Sequence, residues 1–405
     1  MIALAAVRGR LLAFLAVLGV LLLASPREAS AFPWMIRQGV TSCQQCHGDP
    51  SGGGVLTAYG REQGDLTLRM RYGNKSDIAS DSAGFLFGLV SPPDWLLAGG
   101  SFRGGALHVA PQGIPADTRV VQMQSDLRGM VVAESGFRAG VSAGFMVKGA
   151  QPAWVTSNPQ ANLVSREHWV GYAFADRDGL VRAGRIILPF GIRDTNHRLW
   201  VRDRTRTDIN DSQQHGVALA YRTTNLRGEI MGVAGNFQTS PDAYRERGYS
   251  GFAELAVAKA AAVGVSSLTT FVQRDPRTRQ KGGRMAHGLF ARYSPWKPLV
   301  ILAEGDVLVA LPDKGSSRIG HASMLTADVE ILQGLHVQAT GETTAPGGSS
   351  PAAPNSQLSY GGWGTVLWFF APHTDLRLDL VEQSVPAGPT RLNVFSALVQ
   401  LHLYL

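Results

Sequence analysis

The sequence predicts an all-β fold, an antiparallel transmembrane β-barrel of about sixteen strands, preceded by a short segment that stands apart from it. Three observations point there. From about Trp95 to Leu405 the chain divides into stretches of about ten to fifteen residues in which apolar and polar positions alternate. Tight turns and longer polar loops separate these stretches by turns. The last stretch runs to the C-terminal residue, with Val399, Leu401, Leu403 and Leu405 alternating with Gln400, His402 and Tyr404.

The elements follow in chain order. Arg8 and Arg10 form a positively charged start, Leu11 to Ala24 an apolar stretch, and Ala29-Ser30-Ala31 a small-residue cleavage site. Residues 1–31 are therefore expected to be a signal peptide, with Phe32 beginning the mature chain. No later stretch approaches eighteen consecutive apolar residues, so membrane crossing falls to strands alone.

Residues 32–94 are too few for an ordinary domain with a full core of its own. They hold the only two cysteines of the chain, in Cys43-Gln44-Gln45-Cys46-His47. A C-x-x-C-H sequence behind an export signal reads as covalent attachment of one haem c. Positions i, i+3 and i+4 share one face of a helical turn, so both sulfurs form thioethers at one porphyrin edge while His47 reaches the iron. A thioredoxin-like pair wants a βαβ context that the flanking sequence lacks, a structural zinc site needs a fourth ligand, and a disulfide across so short a loop is unusual. Gly52-Gly53-Gly54 permits close approach of backbone to a macrocycle, and Leu56, Tyr59 and Arg61 are candidates to pack its edge or pair with a propionate; a plain flexible loop is the alternative.

The second iron ligand is less legible. Met70 follows the motif closely and is the candidate distal ligand, although Leu66, Leu68 and Met70 equally form one apolar side of an extended segment. Met35 is a rival nearby. His108, His336 and His402 are rivals from the barrel, and a vacant position is a further alternative.

Residues 95–405 form the barrel. The expected strands are 95–110, 118–135, 136–150, 166–177, 178–190, 213–224, 225–237, 247–260, 261–274, 283–296, 297–310, 318–333, 334–345, 356–372, 373–385 and 390–405. In the stretch from Leu335 to Glu342, odd positions suit lipid and even ones water; Leu376-Arg377-Leu378-Asp379-Leu380 repeats the scheme. Glu304 and Asp306 share one parity, as do His336, Gln338 and Glu342, which suits a polar lumen. The short turns fall near Gly136, Asp178, Asn225, Ala261, Lys297, Gly334 and His373, so that end and both barrel termini are assigned to the periplasmic side. The longest loop, Gly191 to Gln214, carries Arg193, His197, Arg198, Arg202, Arg204 and Arg206. Asp194, Asp203, Asp208 and Asp211 nearly balance them, so solvated surface charge is expected there, with an inward constriction as the alternative.

Forty-seven glycines and only 17% charged residues fit a barrel with its polar residues turned inward. A net charge of +7 without a basic helix or RNA-binding motif speaks against a nucleic-acid partner. No Ser-His-Asp or H-E-x-x-H arrangement stands out.

The run Ala31-Phe32-Pro33-Trp34-Met35-Ile36-Arg37-Gln38, followed by Cys43-x-x-Cys46-His47, resembles the signature of the fused monohaem cytochrome–porins of the bacterial outer membrane, best known from iron oxidisers. The chain departs from that pattern at Met35-Ile36, where Phe-Ala is usual, and at Gly39-Val40, where Thr-Gly is usual. The stretch Pro50 to Arg61 also resembles a recurring monohaem barrel subgroup. The resemblance implies electron transfer across or at the outer membrane through one haem c, with outer-membrane lipid around the barrel and periplasmic c-type cytochromes as partners. It further implies an extracellular electron donor, ferrous iron among the candidates, or a multihaem cytochrome, so that the chain would act as an electron carrier or iron oxidase. The alternatives are a diffusion porin with structural or sensory haem, and a sheath around a separate multihaem wire.

Overall fold

The computed structural model describes residues 32–73, 78–145, 163–194, 196, 198–345 and 357–405; residues 1–31, expected as a signal peptide, and His197 lie outside them. Sixteen strands form the barrel, and we number them in chain order: β1 (Leu96–Pro111), β2 (Asp117–Val132), β3 (Phe137–Phe145), β4 (Leu163–Val164 continued by His168–Phe174), β5 (Gly179–Ile186), β6 (Gln214–Arg222), β7 (Leu226–Gly235) and β8 (Arg247–Ala258) make the first half. The second half comprises β9 (Ala261–Val272), β10 (Gly282–Trp296), β11 (Leu299–Pro312), β12 (Arg318–Leu332), β13 (Leu335–Ala345), β14 (Ser359–Ala371), β15 (Thr374–Ala387) and β16 (Thr390–Tyr404). Each strand pairs antiparallel with its sequence neighbours. The barrel closes where β1 meets β16, from Ser101 opposite Tyr404 to Pro111 opposite Val394. Among the described residues closure leaves no unpaired sheet edge, the condition for β-structure in hydrocarbon.

The strands coincide with the expected spans to within a few residues. Residues 146–150 of the expected strand 136–150 lie outside the described residues; among the described ones the largest departure is informative: β5 stops at Ile186, short of the expected 190, and Ile187, Leu188 and Phe190 turn into the interior, where all three are buried. Pro189 has no N–H for a continuing ladder. Alternation holds along the walls. Val217, Leu219 and Tyr221 are exposed on the outer face, while Ala218 and Ala220 between them are buried. On β13, Val337 faces out, and His336, Gln338 and Glu342 face in and are buried.

The lumen is filled from both ends. The first segment lies at the short-turn end: Arg37 Nη1 donates to the Pro298 carbonyl at 3.4 Å, Gln44 Nε2 to the Arg177 carbonyl at 3.2 Å, and the Met70 amide to the Phe369 carbonyl at 2.8 Å. From the other side, the described residues between 187 and 213 fold inward and form a short helix, α2 (Trp200–Thr205), following α1 (Ala58–Gln63) of the first segment. This corrects the expectation of solvated charge in that loop. Arg202 is fully buried and pairs with Glu304, the Ile192 amide donates to the same carboxylate at 2.9 Å, and the Trp200 amide donates to Glu342 at 2.8 Å. The inward acids seen in the strand pattern are thus the anchors of the loop.

Segment and loop meet in one apolar cluster, in which Trp34, Met35 and Ile36 pack with Ile192, Leu199 and Val201 against Phe290, Val300, Leu302 and Phe369 of the wall. Each such buried side chain contributes about 1.5–3 kcal/mol relative to exposure. A second cluster joins Val55, Leu188 and Phe190 to Met130, Trp169, Met231 and Leu268.

Candidate functional site

The Cys43–His47 stretch forms a single helical turn: the amides of Cys46 and His47 both donate to the Cys43 carbonyl, at 3.2 and 3.0 Å. Its shape is fixed from below by α1. Thr57 caps α1 by accepting from the Gly60 amide at 3.0 Å, its hydroxyl donates to the Gln45 carbonyl at 3.0 Å, and its amide donates to the Cys46 carbonyl at 2.9 Å. Gly60 makes this contact feasible, because a Cβ there would lie 2.4 Å from the Cys46 carbonyl oxygen. His47 also pairs with Leu56 as an isolated β-bridge, which folds the triglycine Gly52–Gly54 back over the turn. Gly52 has φ +98°, a conformation open to glycine, and a Cβ there would be 3.3 Å from the Cys43 Sγ.

Cys43 and His47 line one cavity between segment, loop and wall, while Cys46 is buried. The cavity volume is about 180 Å³, and the cavity opens in part to solvent. Arg103, Arg128, Arg193, Arg227, Arg292 and Arg377 line it. Glu254 holds two of them, accepting from Arg227 at 2.9 Å and pairing with Arg292. Two thiols and an imidazole on one turn, a glycine backbone against the cavity and a surplus of arginines together suit a covalently held macrocycle with carboxylate substituents. Among the described residues no group of three or more His, Cys, Asp or Glu side chains forms a metal cluster, so the zinc alternative gains no fourth ligand.

Asp49 pins the site to the barrel. It accepts from the Ser51 amide and hydroxyl, each at 2.8 Å, and from Arg182 Nη1 at 3.1 Å; Arg193 Nη2 donates to the Ser51 hydroxyl at 2.6 Å. Burial pushes the Asp49 carboxyl up, but the charges of Arg182 and Arg193 and its hydrogen bonds hold it below the usual carboxylate range.

The structure does not bring Met70 to this cavity. Its Sδ accepts from the indole N–H of Trp368 at 3.3 Å, near the β14–β15 turn. Met35 lies in the apolar cluster, His336 binds Asp328 at 3.2 Å, and His108 contacts Thr118 at 2.7 Å. Of the rivals, His402 alone lines the cavity, with Nδ1 2.9 Å from Asp375 and Nε2 3.0 Å from the Ser101 hydroxyl. Sequence reasoning missed Met123. Arg103 faces Gln124 and Gly104 faces Gln122, so Met123 is the extra residue of a β-bulge, which turns it into the cavity beside Gln124. Strict alternation gives no hint of a bulge. Arg182, Arg227, Glu254 and Arg292 were also missed individually, although their inward parity was open to reading.

Neither family models nor curated proteins match this sequence. Solved structures do match in fold. The chain is similar to OmpT of Vibrio cholerae, as a loop L8 deletion mutant, with a TM-score of 0.56 at 10% identity, covering 76% of this chain and 99% of that one. It is also similar to the outer membrane channel DcaP of Acinetobacter baumannii, with a TM-score of 0.54 at 12% identity over 76% of this chain and 97% of that one. The anion-selective porin from Comamonas acidovorans gives a TM-score of 0.54 at 12% identity over 76% and 99% of the two chains. The shared feature is the porin-like barrel.

Proposed function

We propose that this chain is an outer-membrane electron carrier that holds one haem c in the lumen of a plugged, porin-like barrel, in keeping with the fused cytochrome–porin resemblance. The observation that carries the reading is the placement of Cys43 and His47 on the wall of an arginine-lined cavity between the segment, the loop and the barrel wall. When bound, the haem supplies a one-electron ferrous–ferric couple. Cys43 and Cys46 would hold it through thioethers, and His47 would ligate the iron. Wall arginines would neutralise the propionates, Glu254 keeping Arg227 and Arg292 in position. Met123 and His402 line the same cavity and would be the candidates for a second iron ligand, a thioether favouring a higher potential than a second imidazole.

The packed lumen disfavours a diffusion porin and equally a sheath, since the space a separate wire would need is taken by this chain's own residues. The identity of the extracellular donor, ferrous iron or a multihaem cytochrome, is a matter for assay. The test is covalent haem. Protein exported with haem-maturation factors should keep haem-linked peroxidase stain through denaturing electrophoresis, and C43A/C46A should lose it. Equal staining, or none in either, rejects the reading.

A further inference from the structure

The connection between β9 and β10, residues 273–281, is a hydrogen-bonded turn at the long-loop end. Asp275 organises it: Oδ1 accepts from the Arg277 and Thr278 amides at 2.8 and 2.9 Å, and the Asp275 carbonyl accepts from the Arg279 amide at 2.8 Å. Arg279 has φ +62°, in the left-handed region that arginine seldom adopts. Residues held so persist where their surroundings fix them, and they cluster at functional sites. Two ion pairs, Arg277 with Asp203 at 2.7 Å and Arg206 with Asp275 at 2.6 Å, set the turn over α2 of the inward-folded loop.

The turn brings two arginines to one tyrosine. Arg274 and Arg279, both exposed, flank Tyr244 of the β7–β8 loop, with Cζ 5.7 and 5.4 Å from its ring centroid. Both guanidinium groups donate to the Tyr244 hydroxyl. Neighbouring charges are matched: Arg245 and Arg247 share Asp242 at 3.0 and 2.7 Å, and Lys281 meets Asp313 at 3.1 Å. Among the described residues Arg274 pairs with no carboxylate, and a phenol brings no formal charge to set against a guanidinium. Like charges converging on one oxygen repel, and a bound anion relieves the repulsion. The hydroxyl adds a third donor, because an oxygen that accepts from both arginines leaves its hydrogen for an outside acceptor. Forked N–H donors beside an O–H suit a tetrahedral oxyanion with several acceptor oxygens.

We propose that Tyr244, Arg274 and Arg279 form a binding site for dissolved phosphate or a phosphate monoester at the long-loop mouth of the barrel. The ties to α2 hold the site over the lumen instead of against the lipid-facing wall, which favours a dissolved ligand over a lipid headgroup. Nothing in it depends on the haem.

The test uses the full chain in detergent at about 0.15 M sodium chloride, where diffuse surface attraction is screened, with inorganic phosphate as probe and calorimetry as readout. R274Q/R279Q should raise the phosphate Kd at least about tenfold, the loss of one charge-assisted hydrogen bond, and Y244F should raise it about threefold. R177Q/R222Q, which removes two charges at the short-turn end, should leave Kd unchanged. Retained heat-modifiable migration shows that each variant folds. No phosphate binding by the wild type, undiminished binding in R274Q/R279Q or Y244F, or an equal loss in R177Q/R222Q overturns the proposal. A second arm offers the wild type lipopolysaccharide micelles with and without their phosphates. Retention of the phosphorylated form alone, undisplaced by inorganic phosphate, assigns the cluster to a headgroup and also overturns the proposal. Covalent haem is read separately by its stain, so failure here leaves the functional reading standing and failure there leaves this site standing.

Discussion

Asp49 accepts from Arg182 at 3.1 Å with both side chains withdrawn from water, and through this pair the first segment is fastened to the inward face of β5. Arg182 also bonds Glu229, and its guanidinium lies 5.2 Å from the ring centroid of Trp169. Removing one partner from such a buried set leaves charge uncompensated, which costs about 3–5 kcal/mol. D49A should therefore loosen the segment, seen as faster tryptic cleavage between residues 37 and 71 while the barrel itself stays resistant. Wild-type cleavage rates in D49A would show that the pair contributes little.

The same carboxyl predicts an acid limit. Its folded pKa lies below the ordinary value of 3.8 because Arg182 and Arg193 outweigh burial. A depressed carboxyl contributes stability that is fully present above the ordinary value and is lost as pH falls through the folded value. Protease protection of the segment should be flat from neutral pH down to about 4 and then decline, and D49N should flatten that decline. An equally steep loss in D49N would assign the limit to carboxylates other than Asp49.

Gly60 predicts a loss of attachment without loss of the barrel. A side chain there would collide with the Cys46 backbone, at 2.4 Å from its carbonyl oxygen. G60V should reduce haem staining strongly while heat-modifiable migration persists. Undiminished staining would mean that the turn does not depend on α1.

The strand pattern was legible because lipid on one side and polar contacts on the other enforce a period of two. Val337 and His336 obey it as plainly in the sequence as in the structure. The fate of loop 191–214 was not legible. Its arginines and aspartates balance each other within the loop, yet the actual partner of Arg202 is Glu304, 102 residues away on a wall strand. Charge counted locally says nothing about a pairing set by closure of the barrel. Met123 was hidden for a related reason, since a bulge is a property of two strands in register and not of one.

Met70 tests the site from the other direction. Its thioether is engaged by Trp368, outside the cavity that Cys43 and His47 line. M70L should leave the optical spectrum of haem-loaded protein unchanged. M123L should remove a methionine-to-iron charge-transfer band if the sixth ligand is a thioether, and H402A should alter a two-histidine spectrum if it is an imidazole. A spectrum altered by M70L alone would restore Met70 as the distal ligand.

Conductance provides the sharpest contrast with an open porin of the same strand number. Sixteen-stranded barrels leave an aqueous channel unless something occupies it. Here the occupants act in series, the segment from the short-turn end and the loop from the other, meeting where Trp34 and Ile36 share a cluster with Ile192 and Val201. Wild-type protein in planar bilayers should show little ion current. Replacing residues 192–210 by a short glycine–serine linker, with E304Q to spare the stranded carboxylate, should leave the segment as the remaining barrier and current still low. Removing residues 33–73 as well should open steps of porin size. Porin-sized steps from the wild type would mean that the lumen is not sealed and would return the diffusion reading to the front.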